Sequence, residues 1–255
     1  MLSTNNVILR QEFSMKKTLS LGFVTLVTAA HLSAAPQISS GAYAGAAAGV
    51  SVLGGKNQLA TSNDAAVAGQ QVLQDQGNFS LSKTSPAVMI FAGYGMKVSG
   101  FWTAAELFYQ FDSLKDKQNP VFAGTTPKNL SSTSTGAYGL SAHLGFLPSE
   151  NCTAYVILGV EARRFKVKFS DPTPANVSAA INKGYTSVAF VPGIGARFAL
   201  TKELSLRTEY KYAMHRSKTL NASAKNTANA AQTDTVKIKH QPKVHSFNVG
   251  VVYSF

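Results

Sequence analysis

From residue 41 onward the chain alternates apolar with small or polar residues at a period of two, and only strands put such alternation on two faces. Gly41 to Leu53 sets Ala42, Ala44, Ala46, Ala48, Val50 and Val52 against Gly45, Ala47, Gly49 and Ser51. Ala87 to Lys97 sets Val88, Ile90, Ala92, Tyr94 and Met96 against Gly93 and Gly95. Phe101 to Phe111 opposes its aromatic face to Trp102, Glu106 and Gln110, and Gly136 to Phe146 opposes Tyr138, Leu140 and Leu144 to Gly139, Ser141 and His143. Four more segments follow the same rule, from 154 to 163, 188 to 198, 204 to 212 and 245 to 255. Pro192 is the awkward member, since it lacks a ladder donor, and a bulge is expected there.

The sign of the alternation separates two barrels. A soluble barrel would turn its apolar face inward around a ligand. Here one face carries the branched and aromatic residues, while the other mixes Gly, Ser and Ala with Glu106, Glu161, Arg163, Arg197, Arg207, Glu209 and Lys211. Small residues beside charged ones suit the narrow lumen of an eight-stranded barrel. Unpaired, such ions cost several kcal/mol each, so these residues are expected to form an ion-pair network across the lumen. The expected fold is all-β, an eight-stranded antiparallel up-and-down transmembrane barrel over residues 40–255, with the apolar face toward lipid.

The connections alternate as well. Residues 98–100, 147–152 and 199–203 read as tight turns, whereas 54–84, 112–134, 170–184 and 213–243 read as long polar loops on the opposite, extracellular side. The last loop holds Arg216, Lys218, Lys225, Lys237, Lys239 and Lys243 against Asp234 alone. It is the expected anion-binding face, for lipopolysaccharide phosphates or host sulfated glycans.

Ahead of the strands, Lys16 and Lys17 precede an apolar run from Leu19 to Ala30 and a small-x-small site ending at Ala34. This is the pattern of a secretory signal peptide over residues 1–34, cleaved after Ala34, with Met15 the expected start and residues 1–14 foreign to the export signal. The run is short of the ~20 residues of a spanning helix. Of the formal charge of +12, residues 1–34 carry +2, so the mature part is still basic and marks anionic partners, among which nucleic acid is not expected. The single Cys152 excludes an internal disulfide and reads as a half-buried thiol in a turn. Gly93-Tyr-Gly95 and Gly193-Ile-Gly195 do not complete a phosphate-loop fingerprint, and no His, Cys or Asp cluster has ligand spacing, so no cofactor, metal or catalytic residue is expected.

The end of the chain is the most specific signal. Phe255, Tyr253, Val251 and Val249 stand at every second position, and this resembles the tag read by the barrel assembly machinery. With Gly41-Ala-Tyr-Ala-Gly45, Val191-Pro-Gly-Ile-Gly-Ala-Arg-Phe198 and Thr201-Lys-Glu-Leu-Ser-Leu-Arg-Thr-Glu-Tyr-Lys-Tyr212, the chain resembles the eight-stranded outer-membrane proteins that include the OmpA membrane domain, opacity-type proteins and rickettsial-type surface antigens. The resemblance covers residues 40–255. It implies a structural, adhesive or antigenic surface protein in the outer membrane of a Gram-negative bacterium, in contact with lipid and lipopolysaccharide. No periplasmic peptidoglycan-binding domain is expected to follow.

Two rival classes are weighed. A lipid-A-modifying enzyme needs a Ser–His–acid site facing lipid, yet Ser141 and His143 share the lumen face, while His245 faces lipid beside an inward Ser246. A narrow porin needs an open lumen, which paired charges would plug.

Overall fold

The computed structural model describes residues 38–63, 76–118, 129–170, 180–225 and 233–255. The chain divides into Met1–Ala35 and Pro36–Phe255. The first unit, and with it the expected leader, lies outside the described residues. The strands are β1 Gly41–Asn63, β2 Gln76–Val98, β3 Phe101–Gln118, β4 Asn129–Ser149, β5 Cys152–Ser170, β6 Ala180–Ala199, β7 Leu204–His215, β8 Lys218–Lys225 and β9 Thr233–Ser254.

All pairings are antiparallel, and β1 returns to β9 from Tyr43↔Ser254 to Asn63↔Asp234, so the sheet closes. β7 pairs with β9 from Leu204↔Tyr253 to Met214↔Lys243, and β8 continues from Lys218↔His240 to Lys225↔Thr233. β7 and β8 are therefore one stave interrupted at Arg216 and Ser217, and the nine strands make an eight-position barrel. Closure leaves no edge whose amides would lie unpaired in lipid. At one end, Ser99 (φ 46) and Gly100 (φ 83) join β2 to β3 in a two-residue turn, with both residues at the positive φ that such hairpins require.

The strands outrun the ten-residue segments visible in the sequence. Much of what reads there as long loop, at 54–84, 112–134, 170–184 and 213–243, is strand. β5 shows why. Val156, Leu158 and Val160 point outward, while Gly159, Glu161 and Arg163 point inward. Further along, Arg164, Lys166 and Lys168 point outward and Phe165, Val167 and Phe169 inward. No residue is inserted, since β5 pairs with β6 without a shift from Cys152↔Phe198 to Ser170↔Ala180. The same strand leaves lipid for water, and its faces exchange chemistry while keeping their direction. An apolar exterior marks only the lower half.

β4 crosses that boundary differently. Its ladder shifts by one residue against β3 between Gln110 and Ser113, and against β5 between Ser134 and Ala137. Gly136, at φ 69, occupies the bulge. Consequently Leu130, Ser132 and Ser134 face inward above it, and Ala137, Ser141 and His143 below it. The bulge expected at Pro192 is absent. Phe190↔Met214 and Gly193↔Lys211 keep one register, and the β6–β7 pairing lapses between them. Proline costs the ladder a donor there without adding a residue.

The interior is layered. Tyr43, Met89, Phe91, Trp102, Phe108, Tyr155 and Ile157 form an apolar cluster, with Ile38 and Leu147 packed into it and Ile38 N–H bonded to Glu150 O at 3.0 Å. Two further clusters lie in the extracellular half, one around Leu53, Leu114, Phe165 and Val191, the other around Leu130, Val167, Phe169 and Ile238.

Candidate functional site

Between the apolar layers stands a ladder of charges, each placed by the inward positions of its strand. Arg207 on β7 is its hub. Its guanidinium pairs with Glu106 of β3 across the lumen and with Glu209 at 3.1 Å, and lies 3.6 Å above the ring of Phe91. Tyr43 donates to Glu106 at 3.1 Å and Tyr155 to Glu209 at 2.9 Å. Lys211 reaches Glu209 at 3.5 Å and caps the Phe108 ring at 4.2 Å. The carboxylates are thus shared among cations and phenols, which is what makes burial of ions tolerable.

A second tier lies above. Arg163 of β5 pairs with Asp112 at 2.7 Å and Glu161 at 3.2 Å, and His215 lies 3.2 Å from Glu161. Asp112 also accepts from Ser51 at 3.0 Å, Gln110 at 2.8 Å and the amide of Gly136 at 3.3 Å. Asp112 and His215 fall in stretches that read as loop, so the sequence pairing omits them. Their signal is the even spacing they keep from Gln110 and Ala213. Arg197 differs from its expected role, because no carboxylate pairs with it among the described residues. It donates to Ser254 at 2.7 Å and lies 5.4 Å from the Tyr43 ring centroid. Arg207, Glu106 and Glu209 are 3, 1 and 1 % exposed, whereas a water-filled channel would leave them wet.

The serine–histidine pairs are buried too. Ser141 Oγ lies 3.0 Å from His143 Nε2, but His143 Nδ1 has no partner, so the acid that would orient a catalytic imidazole is missing from it. Higher up, in the extracellular half, His240 bridges Ser132 at 2.9 Å and Tyr185. Burial and the neighbouring His215 lower its pKa to about 4, so the ring is neutral. Burial raises the Tyr185 phenol and the half-buried Cys152 thiol.

The outer wall changes character with height. Exposed Phe101, Phe146, Tyr253 and Phe255 mark the periplasmic rim, and exposed Tyr109, Phe111 and Tyr138 the opposite girdle. Beyond that girdle Lys115, Lys117, Arg164, Lys166 and Lys168 stand outward on β3 and β5. The Thr133 and Ser131 positions of β4 lie between Lys115 and Lys166 and between Lys117 and Lys168. On the opposite side of the circuit Lys237, Lys239 and Lys243 of β9 and Lys56 of β1 are exposed. The last-loop cations are therefore largely strand residues. Lys237, Lys239 and Lys243 share one outward face, Arg216 lies in the break of the seventh stave with Lys218 just after it, and the Lys225 side chain lies outside the described residues. In the sequence Lys115 and Lys117 read as loop, and Arg164, Lys166 and Lys168 follow a strand segment that ends at 163, so only the register brings them into one wall.

No curated protein matches the chain. Among solved structures it is similar to Ail, the attachment invasion locus protein of Yersinia pestis, in complex with the heparin analogue sucrose octasulfate. The two are 12 % identical over 84 % of this chain and 99 % of that one, with a TM-score of 0.40. It is similar also to Neisserial surface protein A, 16 % identical over 85 % and 98 % of the two chains at a TM-score of 0.39. The outer membrane protein OprG from Pseudomonas aeruginosa is 12 % identical over 87 % and 98 % at 0.47. The model of the outer membrane protein beta-barrel domain family matches residues 21–255, and the chain belongs to that family.

Proposed function

We propose that this is a structural and adhesive surface barrel without enzymatic activity, whose extracellular exterior binds anionic glycans, either lipopolysaccharide sugars or host sulfated chains. The observation that carries this reading is the outward set Lys56, Lys115, Lys117, Arg164, Lys166, Lys168, Lys237, Lys239 and Lys243, all exposed above the girdle. Among the described residues no acidic side chain shares that outward surface. Asp112, Asp116 and Glu161 take inward positions, so they do not neutralise it. A rigid sheet holds these cations at fixed spacing, which lowers the ordering cost of binding a polyanion.

The filled lumen supports a closed barrel over a porin. Val249, Val251, Tyr253 and Phe255 line one face of the closing strand, the arrangement a recognition tag for barrel assembly needs. Binding of heparin and of the cell's own lipopolysaccharide to the purified barrel tests the reading. Affinity should fall steeply between 50 and 500 mM salt, because the Debye length shrinks below roughly 8 Å. Replacing the lysines of both walls other than Lys243 by glutamine should abolish it. Salt-independent binding, or binding unchanged in that variant, would contradict the proposal.

A further inference from the structure

A smaller, more structured cluster faces outward where β7, β9 and β1 meet at the extracellular edge of the apolar belt. His245 of β9 is the one outward-facing histidine among the described residues. Tyr210 OH lies 2.6 Å from His245 Nδ1. A neutral phenol is the better donor of the two, so it donates to Nδ1 and fixes the tautomer with hydrogen on Nε2. That N–H is then the ring's remaining donor.

Tyr212 stacks on the same imidazole with centroids 4.6 Å apart, and Lys243 Nζ lies 6.0 Å from the Tyr212 centroid. Tyr212 thus neighbours both His245 and Lys243, which stand two residues apart on the same face of β9. On the other side of β9, Val52 stands opposite His245 and Gly54 opposite Lys243. A side chain at Gly54 would meet nothing closer than the Lys243 carbonyl at 3.9 Å, so the flank of Lys243 on β1 is open. Exposed Phe247 and Val251 lie below the cluster on β9, and exposed Lys239 and Lys237 above it. It therefore sits at the depth where lipid gives way to water, the level of the lipid phosphates.

We infer that His245 Nε2–H and Lys243 Nζ form a docking site for the phosphate of an outer-leaflet glycolipid, with Val52 and Phe247 against the start of its acyl chains. The site binds one lipid from the side of the barrel. It does not depend on the glycan reading above, whose cations other than Lys243 lie further from the membrane. A purely interfacial aromatic cluster would prefer no particular headgroup.

Native mass spectrometry of the full barrel, released from micelles doped with phosphorylated lipid A, tests the inference. Dephosphorylated lipid A and inorganic phosphate alone are the comparison probes. The wild type should retain the phosphorylated lipid, and Lys243→Gln/His245→Gln should lower retention about tenfold, the scale of losing a charge-assisted contact. Lys202→Gln, in a turn at the far end, should change nothing. Heat-modifiable gel migration checks folding, and if the double variant does not fold, Lys243→Gln alone should still lower retention severalfold. Equal retention of dephosphorylated lipid, unchanged retention in the folded variants, or displacement of the lipid by millimolar inorganic phosphate would overturn it. Loss of heparin binding in wall variants that keep Lys243 leaves this result unaffected, so the two proposals fail separately.

Discussion

The guanidinium of Arg207 lies 3.6 Å above the ring of Phe91 while its nitrogens are held by Glu106 and Glu209. β7, β2 and β3 are thereby tied across the lumen at one level. Arg207→Met leaves two buried carboxylates facing each other and should cost ~3–5 kcal/mol. The neutral triple variant Glu106→Gln/Arg207→Met/Glu209→Gln should recover most of that loss. Urea unfolding in micelles, read from the fluorescence of Trp102, the only tryptophan and one buried in the lumen, gives both values. A triple variant no more stable than the single one would refute the pairing.

Gly136 carries the parity change of β4. Its φ is 69, and a Cβ there would lie 2.9 Å from the Gln110 carbonyl oxygen. Gly136→Val should therefore cost ~1–3 kcal/mol and detach the Gly136 amide from Asp112. The same substitution at Gly100 has open space and should cost less, although its φ of 83 still penalises it. Comparing the two unfolding midpoints checks this.

Lipid and water divide β5 between Val160 and Arg164. Leu158→Lys, in the middle of the outward apolar stretch, should destabilise the barrel by ~2–4 kcal/mol. Lys166→Gln, beyond the boundary, should leave unfolding within ~0.5 kcal/mol of wild type. Equal effects at both positions would place the boundary wrongly.

His240 gives the extracellular half a pH dependence. Its folded value of about 4 lies below the ordinary 6.5, so between these pH values the unfolded chain binds more protons. The contribution is full above pH 6.5 and is lost as pH falls to 4, up to ~3 kcal/mol. Urea-unfolding midpoints measured from pH 7 down to 4 should fall across that window. His240→Leu should flatten the profile.

The lower half of the barrel was legible because lipid imposes one rule on every strand. The outward set Val156, Leu158 and Val160 and the inward Glu161 and Arg163 follow it without exception. Above the girdle, Phe165, Val167 and Phe169 alternate just as strictly with Arg164, Lys166 and Lys168, but the apolar side is now inside. A search for apolar exteriors therefore stops at the membrane surface, and Asp112, His215 and the β3–β5 lysine wall fall beyond the stop. Gly136 hid β4 in a second way, since a bulge moves the inward side chains from odd to even positions.

That exchange of faces along unbroken strands is the central claim, and scanning β5 with single cysteines in a Cys152→Ser background tests it most directly. A membrane-impermeant thiol reagent applied to whole cells should label positions 164, 166 and 168. It should spare 165, 167 and 169, and it should spare 156, 158 and 160 altogether. Labelling of all six positions from 164 to 169 would show a loop in place of a strand, and labelling at 158 would show that this wall does not face lipid.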